Sequence, residues 1–262
     1  MLFVFSDRAK VLSFLEQGGN VAEIGVFAGD FAREIQSRVI PDELHLVDPW
    51  KMVEIDWDNP PENLSRKQLE YYKLFLKRAC PEYSGGHPDG ALEIIHSRVC
   101  DFAGQHPGVH VHRGISKEIM PRFPDEHFDL VYIDADHRYA SVMEDLLLAE
   151  KKVKPGGFIA GHDFFENGKD RLASYGVIDA VNTFCKRTGY FVFLLTAEPL
   201  ATFFLAKEHS DYTRGFLQRV IGSHAPIMEI PSQLAPCYLH KIIDADGRSI
   251  PSFGGDLANP AF

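Results

Sequence analysis

The sequence predicts an α/β fold built on a doubly wound, mainly parallel sheet, and three observations carry that expectation. Short apolar runs alternate with helical stretches over most of the 262 residues, which is the rhythm of βαβ units. The run FDLVYI (128–133) is apolar on both faces, as a strand buried between two helical layers is. It then ends abruptly in Asp134, Asp136 and His137. Buried charge is costly unless paired or coordinated, so such a cluster belongs at a strand's carboxyl end, where open α/β sheets bind ligands.

Taken in chain order, the first strand is NVAEIGVF (20–27), followed across a glycine turn by a helix over 30–38. ELHLVDPW (43–50) is the second strand. VHVHRG (109–114) and FDLVYID (128–134) are the third and fourth. A helix over 138–153 follows, with Val142, Leu146, Ala149 and Val153 at helical spacing as its core face. KKVKPGG closes it and turns into GGFIAGHD (156–163), and a helix over 175–188 leads to YFVFLLT (190–196). ATFFLAK (201–207) is the seventh strand; only AEPL separates it from the sixth, so the two form an antiparallel hairpin at one edge of the sheet.

Two regions break the rhythm. Residues 51–107 form a connection far longer than usual, with a charged helical stretch, LSRKQLEYYKLFLKRAC, and a turn-rich link, PEYSGGHPDG. This is read as a helical insertion over the site, with Tyr71, Tyr72, Phe75 and Leu76 forming either a pocket wall or an ordinary packing face. The expected main domain is therefore 1–208 and the remainder, 209–262, a C-terminal extension acting as a lid, an oligomer contact or surface packing. CYLHKIIDADGRSIPSF within it reads as a hairpin turning at Asp244–Gly247.

Composition narrows the partners. A net charge of −10, with 37 acidic against 27 basic residues and no basic run, argues against nucleic acid or an anionic membrane. No apolar stretch is long enough to span a bilayer, and MLFVFSDRAK lacks the features of a signal peptide, so the expectation is a soluble, cytoplasmic protein. Cys80, Cys100, Cys185 and Cys237 show no metal or redox spacing and read as ordinary buried thiols.

Three motifs carry chemistry. VAEIGVFAGDFA sets Glu23, Gly25 and Gly29 in the order E-x-G-x-x-x-G. Gly25 allows a tight turn, Gly29 lets backbone approach a ligand, and Asp30 suits a helix cap. Phe27 stands where the dinucleotide pattern needs its second glycine, which weakens a nucleotide-dependent oxidoreductase as a rival reading. Glu23 beside the turn suits a cationic ligand group such as an ammonium. Asp48, ending the second strand, suits ribose hydroxyls or a turn cap. In HRGISKEIM the turn at Gly114–Ser116 can meet an adenine edge or cap a helix through Ser116.

The third motif joins the charged strand end to GGFIAGHDF. Asp134 and Asp136 end one strand, and His162 and Asp163 end its neighbour. Carboxylates suit Mg²⁺, Mn²⁺ or Ca²⁺, and an imidazole shifts the preference toward Mn²⁺, Fe²⁺ or Zn²⁺. The alternative is that Asp136 and His137 only cap the helix that begins near Arg138.

Together, AEIGVFAGDFA, HLVDPW, HRGIS, FDLVYIDADHRYASVMEDL and VKPGGFIAGHDF resemble the motif series of class I S-adenosylmethionine-dependent methyltransferases over residues 15–207. Within that superfamily the I-D-A-D-H-x-Y…K-P-G-G…G-H-D run is most similar to small-molecule O-methyltransferases of the macrocin and macrolide-sugar type. The resemblance implies a Rossmann-like methyltransferase fold with a seven-stranded sheet. It also implies that Glu23, Gly25 and Gly29 surround the methionine part of the cofactor, with Asp48 at the ribose, Ile115 and Ser116 near adenine and Asp134 close by. Asp134, His162 and Asp163 fall where metal-dependent relatives hold Mg²⁺ or Mn²⁺, and His162 departs from the oxygen ligand common there.

The expected function is methyl transfer from S-adenosylmethionine to an oxygen of a small polyhydroxylated acceptor, with Asp136 or His137 taking the hydroxyl proton. The rival readings are a metal-free N- or O-methyltransferase with His137 or His162 as base, and a non-catalytic module that binds the cofactor. Insertion and extension make a homo-oligomer plausible.

Overall fold

A computed structural model describes residues 1–51, 66–85, 87–165, 176–242 and 249–253. The chain opens with β1 (Leu2–Val4) and α1 (Arg8–Leu12), then β2 (Asn20–Ile24), α2 (Asp30–Arg38) and β3 (Glu43–Asp48). The insertion supplies α3 (Arg66–Ala79) and α4 (Pro88–Gln105). Next come β4 (Val109–Arg113), the short α5 (Ser116–Ile119), β5 (Phe128–Ile133), α6 (Tyr139–Lys152) and β6 (Val153–Phe164). The remainder is α7 (Val177–Thr188), β7 (Phe191–Thr196), β8 (Ala201–Ala206), α8 (Asp211–Gly222), β9 (Ile227–Glu229), β10 (Tyr238–Ile242) and β11 (Ser249–Phe253).

The main sheet runs β4-β3-β2-β5-β6-β8-β7-β1-β9. From β4 to β6 every pairing is parallel, and β8 is antiparallel to both β6 and β7. The fold is thus the α/β, Rossmann-like methyltransferase architecture, and its sheet has nine strands where seven were expected. The two added strands are three residues each: β1 pairs parallel with β7, and β9 antiparallel with β1, both beyond the β7–β8 hairpin. Segments that short present no periodicity to read. β10 and β11 form a separate antiparallel pair; the expected turn at Asp244–Gly247 lies outside the described residues.

Helices cover both faces. On one, Leu44, Leu46, Tyr132, Phe158 and Phe204 pack beneath α1, α2, α4 and α8; on the other, Ala22, Val47, Val131, Ile133 and Leu205 pack beneath α6 and α7. Each Val, Leu, Ile or Phe side chain among them contributes about 1.5–3 kcal/mol when removed from water. The 209–262 stretch supplies α8 and β9, and Tyr238 of β10 is fully buried, its hydroxyl donating to the Glu198 carbonyl at 3.1 Å. Of the four cysteines only Cys80 is buried; Cys100 and Cys237 are exposed, against expectation, because α4 presents the first outward and the short 3-10 turn before β10 the second. Among the described residues no helix is long and apolar enough to cross a membrane.

Strand order reverses direction between β2 and β5, which places the ligand crevice of an open α/β sheet at their carboxyl ends. Those ends touch: the Asp134 amide donates to the Ile24 carbonyl at 2.7 Å. Gly25 sits at φ +90°, and a Cβ there would overlap the Asp134 carbonyl. No other residue fits that contact.

Candidate functional site

The glycine turn is held from below by Asp48. Its Oδ2 accepts from the amides of Val26 and Phe27, each at 2.9 Å, and its Oδ1 from the Trp50 amide at 2.6 Å. Burial pushes the Asp48 carboxyl up, and those three amides oppose the shift. The bonds stabilise two unusual conformations: Phe27 at φ +47° and Trp50 at φ +42° are both left-handed, a region that disfavours bulky residues. Trp50 adds a third tie by donating Nε1–H to the Phe27 carbonyl at 2.9 Å. The position a dinucleotide fold gives to glycine is therefore filled here by a braced phenylalanine. Its ring stacks on Phe75 of α3 at 4.8 Å, so the insertion does reach the turn.

Glu23 is 1 % exposed, and its Oε2 has no hydrogen-bond partner among the described residues. Burial, reinforced by the charge of Asp134, drives its carboxyl well above the usual range. An orphaned buried acid beside the turn fits a cationic ligand group, which would offset the desolvation that neutralises it. Gly29, at φ +74°, is the N-cap of α2, and Asp30 is its first residue rather than the cap.

Ile115 is likewise the N-cap of α5, and Ser116 is the first helical residue. The Ser116 hydroxyl donates not to its own helix but to Asp145 of α6, a carboxyl that burial raises to about 7.

At the end of β5 the structure brings Asp134, His162 and Asp163 together, with a ligand atom of each within 4.8 Å of the others. His162 Nδ1 lies 3.8 Å from Asp134 Oδ1 and 3.4 Å from Asp163 Oδ2, and His137 Nδ1 lies 3.1 Å from the same Asp163 oxygen. Consecutive residues of a regular strand face opposite sides of the sheet. Here the β6–β8 register shifts between Gly161 and Phe164, and Asp163 adopts φ +56°, so His162 and Asp163 turn toward one point. The donor set, two carboxylates and an imidazole, fits a divalent ion.

Electrostatics separate the two acids. Burial raises the Asp134 carboxyl, opposed by His162 and Arg8. Burial would also raise Asp163, but the hydrogen bond from His162 and the charges of His137 and His162 outweigh it and hold that carboxyl below the usual range. Arg8 is the participant that sequence reading missed. From α1 it donates to Asp134 Oδ2 at 2.6 Å and to the Tyr132 hydroxyl at 3.1 Å, with its guanidinium 4.4 Å over the Phe31 ring. A lone arginine in an amphipathic five-residue helix carries no signal of this contact.

Asp136 is drawn away from base chemistry. Its Oδ1 accepts from the Arg138 amide at 3.0 Å and its Oδ2 from the Ser141 hydroxyl at 2.7 Å, while the Arg138 guanidinium pairs with it. Burial works against ionisation, but these partners win and hold the carboxyl low. Of the two expected proton acceptors, Asp136 is thus engaged in starting α6, and His137 is the one aligned by a buried carboxylate. A small cleft is lined by Asp134, Asp136, His137, His162 and Phe203.

The profile of a family described as a methyltransferase domain matches residues 22–164, more than half of the chain. No curated protein sequence matches. Among solved structures, an S-adenosylmethionine-dependent methyltransferase from Aquifex aeolicus is similar at 13 % identity, with 77 % of this chain and 89 % of that one covered and a TM-score of 0.46. A precorrin-6y C5,15-methyltransferase from Geobacter metallireducens is similar at 16 % identity, with 77 % and 86 % covered and a TM-score of 0.46. Spermidine synthase from Thermotoga maritima is similar at 14 % identity, with 87 % and 67 % covered and a TM-score of 0.47.

Proposed function

The chain belongs to the methyltransferase-domain family, and on that premise we propose that it moves the methyl group of S-adenosylmethionine to an oxygen of a small polyhydroxylated molecule, such as a sugar, a natural product or a phenol. The cofactor supplies an electrophilic methyl group on a sulfonium. What the chain adds is alignment and removal of a proton. Glu23 meets the ammonium, the braced turn from Gly25 to Gly29 meets the methionine backbone, and Asp48 keeps that turn in shape while offering its remaining lone pairs to the ribose. Ile115 and Ser116 border the adenine.

The observation that supports oxygen as acceptor is the His137–Asp163 contact of 3.1 Å beside Asp134 and His162. With Nδ1–H directed at Asp163, the basic nitrogen of His137 is Nε2, and the carboxylate stabilises the imidazolium formed when a hydroxyl proton is taken. A divalent ion held by Asp134, His162 and Asp163 would supply Lewis acidity to a substrate hydroxyl, and the imidazole in that set favours Mn²⁺ over Mg²⁺.

The test is incubation of the purified chain with methyl-labelled S-adenosylmethionine and a panel of sugars and catechols, with Mn²⁺ or with chelator. Labelled ether products, lost in His137→Ala and weakened at the cofactor step in Glu23→Gln, support the reading. Labelling only of amines would sink it. A second reading, metal-free transfer by the His137–Asp163 pair, is favoured by Arg8, whose guanidinium already neutralises Asp134 at 2.6 Å; full activity in chelator selects it.

A further inference from the structure

A second cluster stands at the opposite end of the parallel strands, where β3 and β5 begin, and the methyl-transfer chemistry makes no use of it. His45 and Glu43 project from one face of β3, and His127 precedes β5. His45 Nε2 lies 3.3 Å from Glu43 Oε2, His127 Nε2 lies 3.8 Å from the same oxygen, and a ligand atom of each residue falls within 4.8 Å of the others. Two donors on one tetrahedral ion with bonds of about 2.0–2.1 Å are roughly 3.3–3.5 Å apart. The three side chains need only small rotations to reach that spacing.

The surroundings are those of a built site. β4 contributes His110 in register with His45, and His112 one pleat further on the same face. His45 Nδ1 is 3.0 Å from His112 Nε2, and the His110 ring stacks on His45 at 4.9 Å. The inner ring is thus oriented through its far nitrogen, the arrangement that fixes the tautomer of metal-bound histidines. Phe123 closes the cluster on one side, 4.8 Å from His45 and 5.8 Å from His127. His127 is pinned by its backbone, its amide donating to the Lys152 carbonyl at 2.8 Å and its carbonyl accepting from Asn20 Nδ2 at 3.3 Å. Exposure grades from 9 % at the His45 side chain through 23 % at His127 to 45 % at Glu43, which gives a buried anchor and an open entry.

We infer that Glu43, His45 and His127 form a binding site for a late first-row divalent cation, zinc foremost, with His112 as the residue that orients His45. Two imidazoles and one carboxylate are a zinc-type donor set with a fourth position left for water. The ion would tie the start of β3 to the start of β5 across β2, securing the half of the sheet that ends in the free strand β4.

The test compares zinc titrations of the chelator-stripped full chain and its Glu43→Gln variant, read by calorimetry and by metal analysis after dialysis. Glu43 is half-exposed, so the variant folds, and whatever ion the Asp134 cluster takes is common to both proteins. The expected result is one zinc equivalent fewer in Glu43→Gln, and zinc binding at this site roughly 10–100-fold weaker in His112→Gln. Co²⁺ should give the visible absorption of a tetrahedral site in the parent, reduced in Glu43→Gln. Equal zinc stoichiometry and affinity in parent and Glu43→Gln would overturn the assignment.

Discussion

The guanidinium of Arg8 and the carboxylate of Asp134 meet at 2.6 Å although 126 positions separate them in the chain. The pair is mostly shielded, with 27 % and 18 % of the two side chains exposed. Arg8→Met removes the cation and leaves a desolvated acid, which should lower stability by about 1–3 kcal/mol. Arg8→Lys keeps the charge but loses the fork that also serves Tyr132, so it should fall between parent and Arg8→Met. Urea unfolding of the three proteins checks the order.

Asp48 braces three amides, so its loss should act on shape before it acts on ligand. Asp48→Ala is expected to cost about 2–3 kcal/mol of stability and to weaken the cofactor at least about tenfold. If calorimetry shows weakened binding while the unfolding midpoint stays put, the ribose contact rather than the brace is the main role of Asp48.

His137 and Asp136 are adjacent in sequence and predicted to behave oppositely. His137→Gln and Asp163→Asn should each lower kcat by about 10²–10⁴ with cofactor affinity little changed. Asp136→Asn should keep kcat within a few-fold and lower the melting temperature instead, because it loosens the start of α6. Rates at saturating cofactor, paired with thermal unfolding, separate the two outcomes.

Asp145 sets a pH dependence. Its folded-state carboxyl stands at about 7 against an ordinary 3.8, so the folded chain holds a proton that the unfolded chain has released. Stability from this group is full below about pH 4 and falls as pH rises toward 7, at up to about 1.4 kcal/mol per unit. Asp145→Asn keeps an acceptor for Ser116 and loses the titration. It should melt higher than the parent at pH 8 and no higher at pH 4.

The sequence made the sheet legible where strands are long and buried. FDLVYI and ATFFLA announce themselves by apolar runs, and the E-x-G-x-x-x-G spacing marked the turn because Gly25 is required by a backbone collision. The charged strand ends were equally visible, since Asp134 and His162 have no place in a core. What stayed hidden depends on distant contacts. Leu2–Val4 becomes a strand only because β7 and β9 flank it, and Arg8 becomes part of the site only because α1 follows. The convergence of His162 with Asp163 rests on a bulge that no residue type encodes. The histidines of VHVHR, with no pattern visible in one strand, acquired one when register set His110 beside His45.

β1 lies between β7 and β9, partners made roughly two hundred residues later. Arg8 is carried to Asp134 by the helix that this strand anchors. On a ribosome, then, β1 and α1 emerge well before the strands they dock on, and the charge that neutralises Asp134 is seated only after β7 and β9 have followed. Pairings of such long sequence separation are slow to close. A nascent chain released early would carry a finished β2–β5 crevice whose buried acid still waits for its cation.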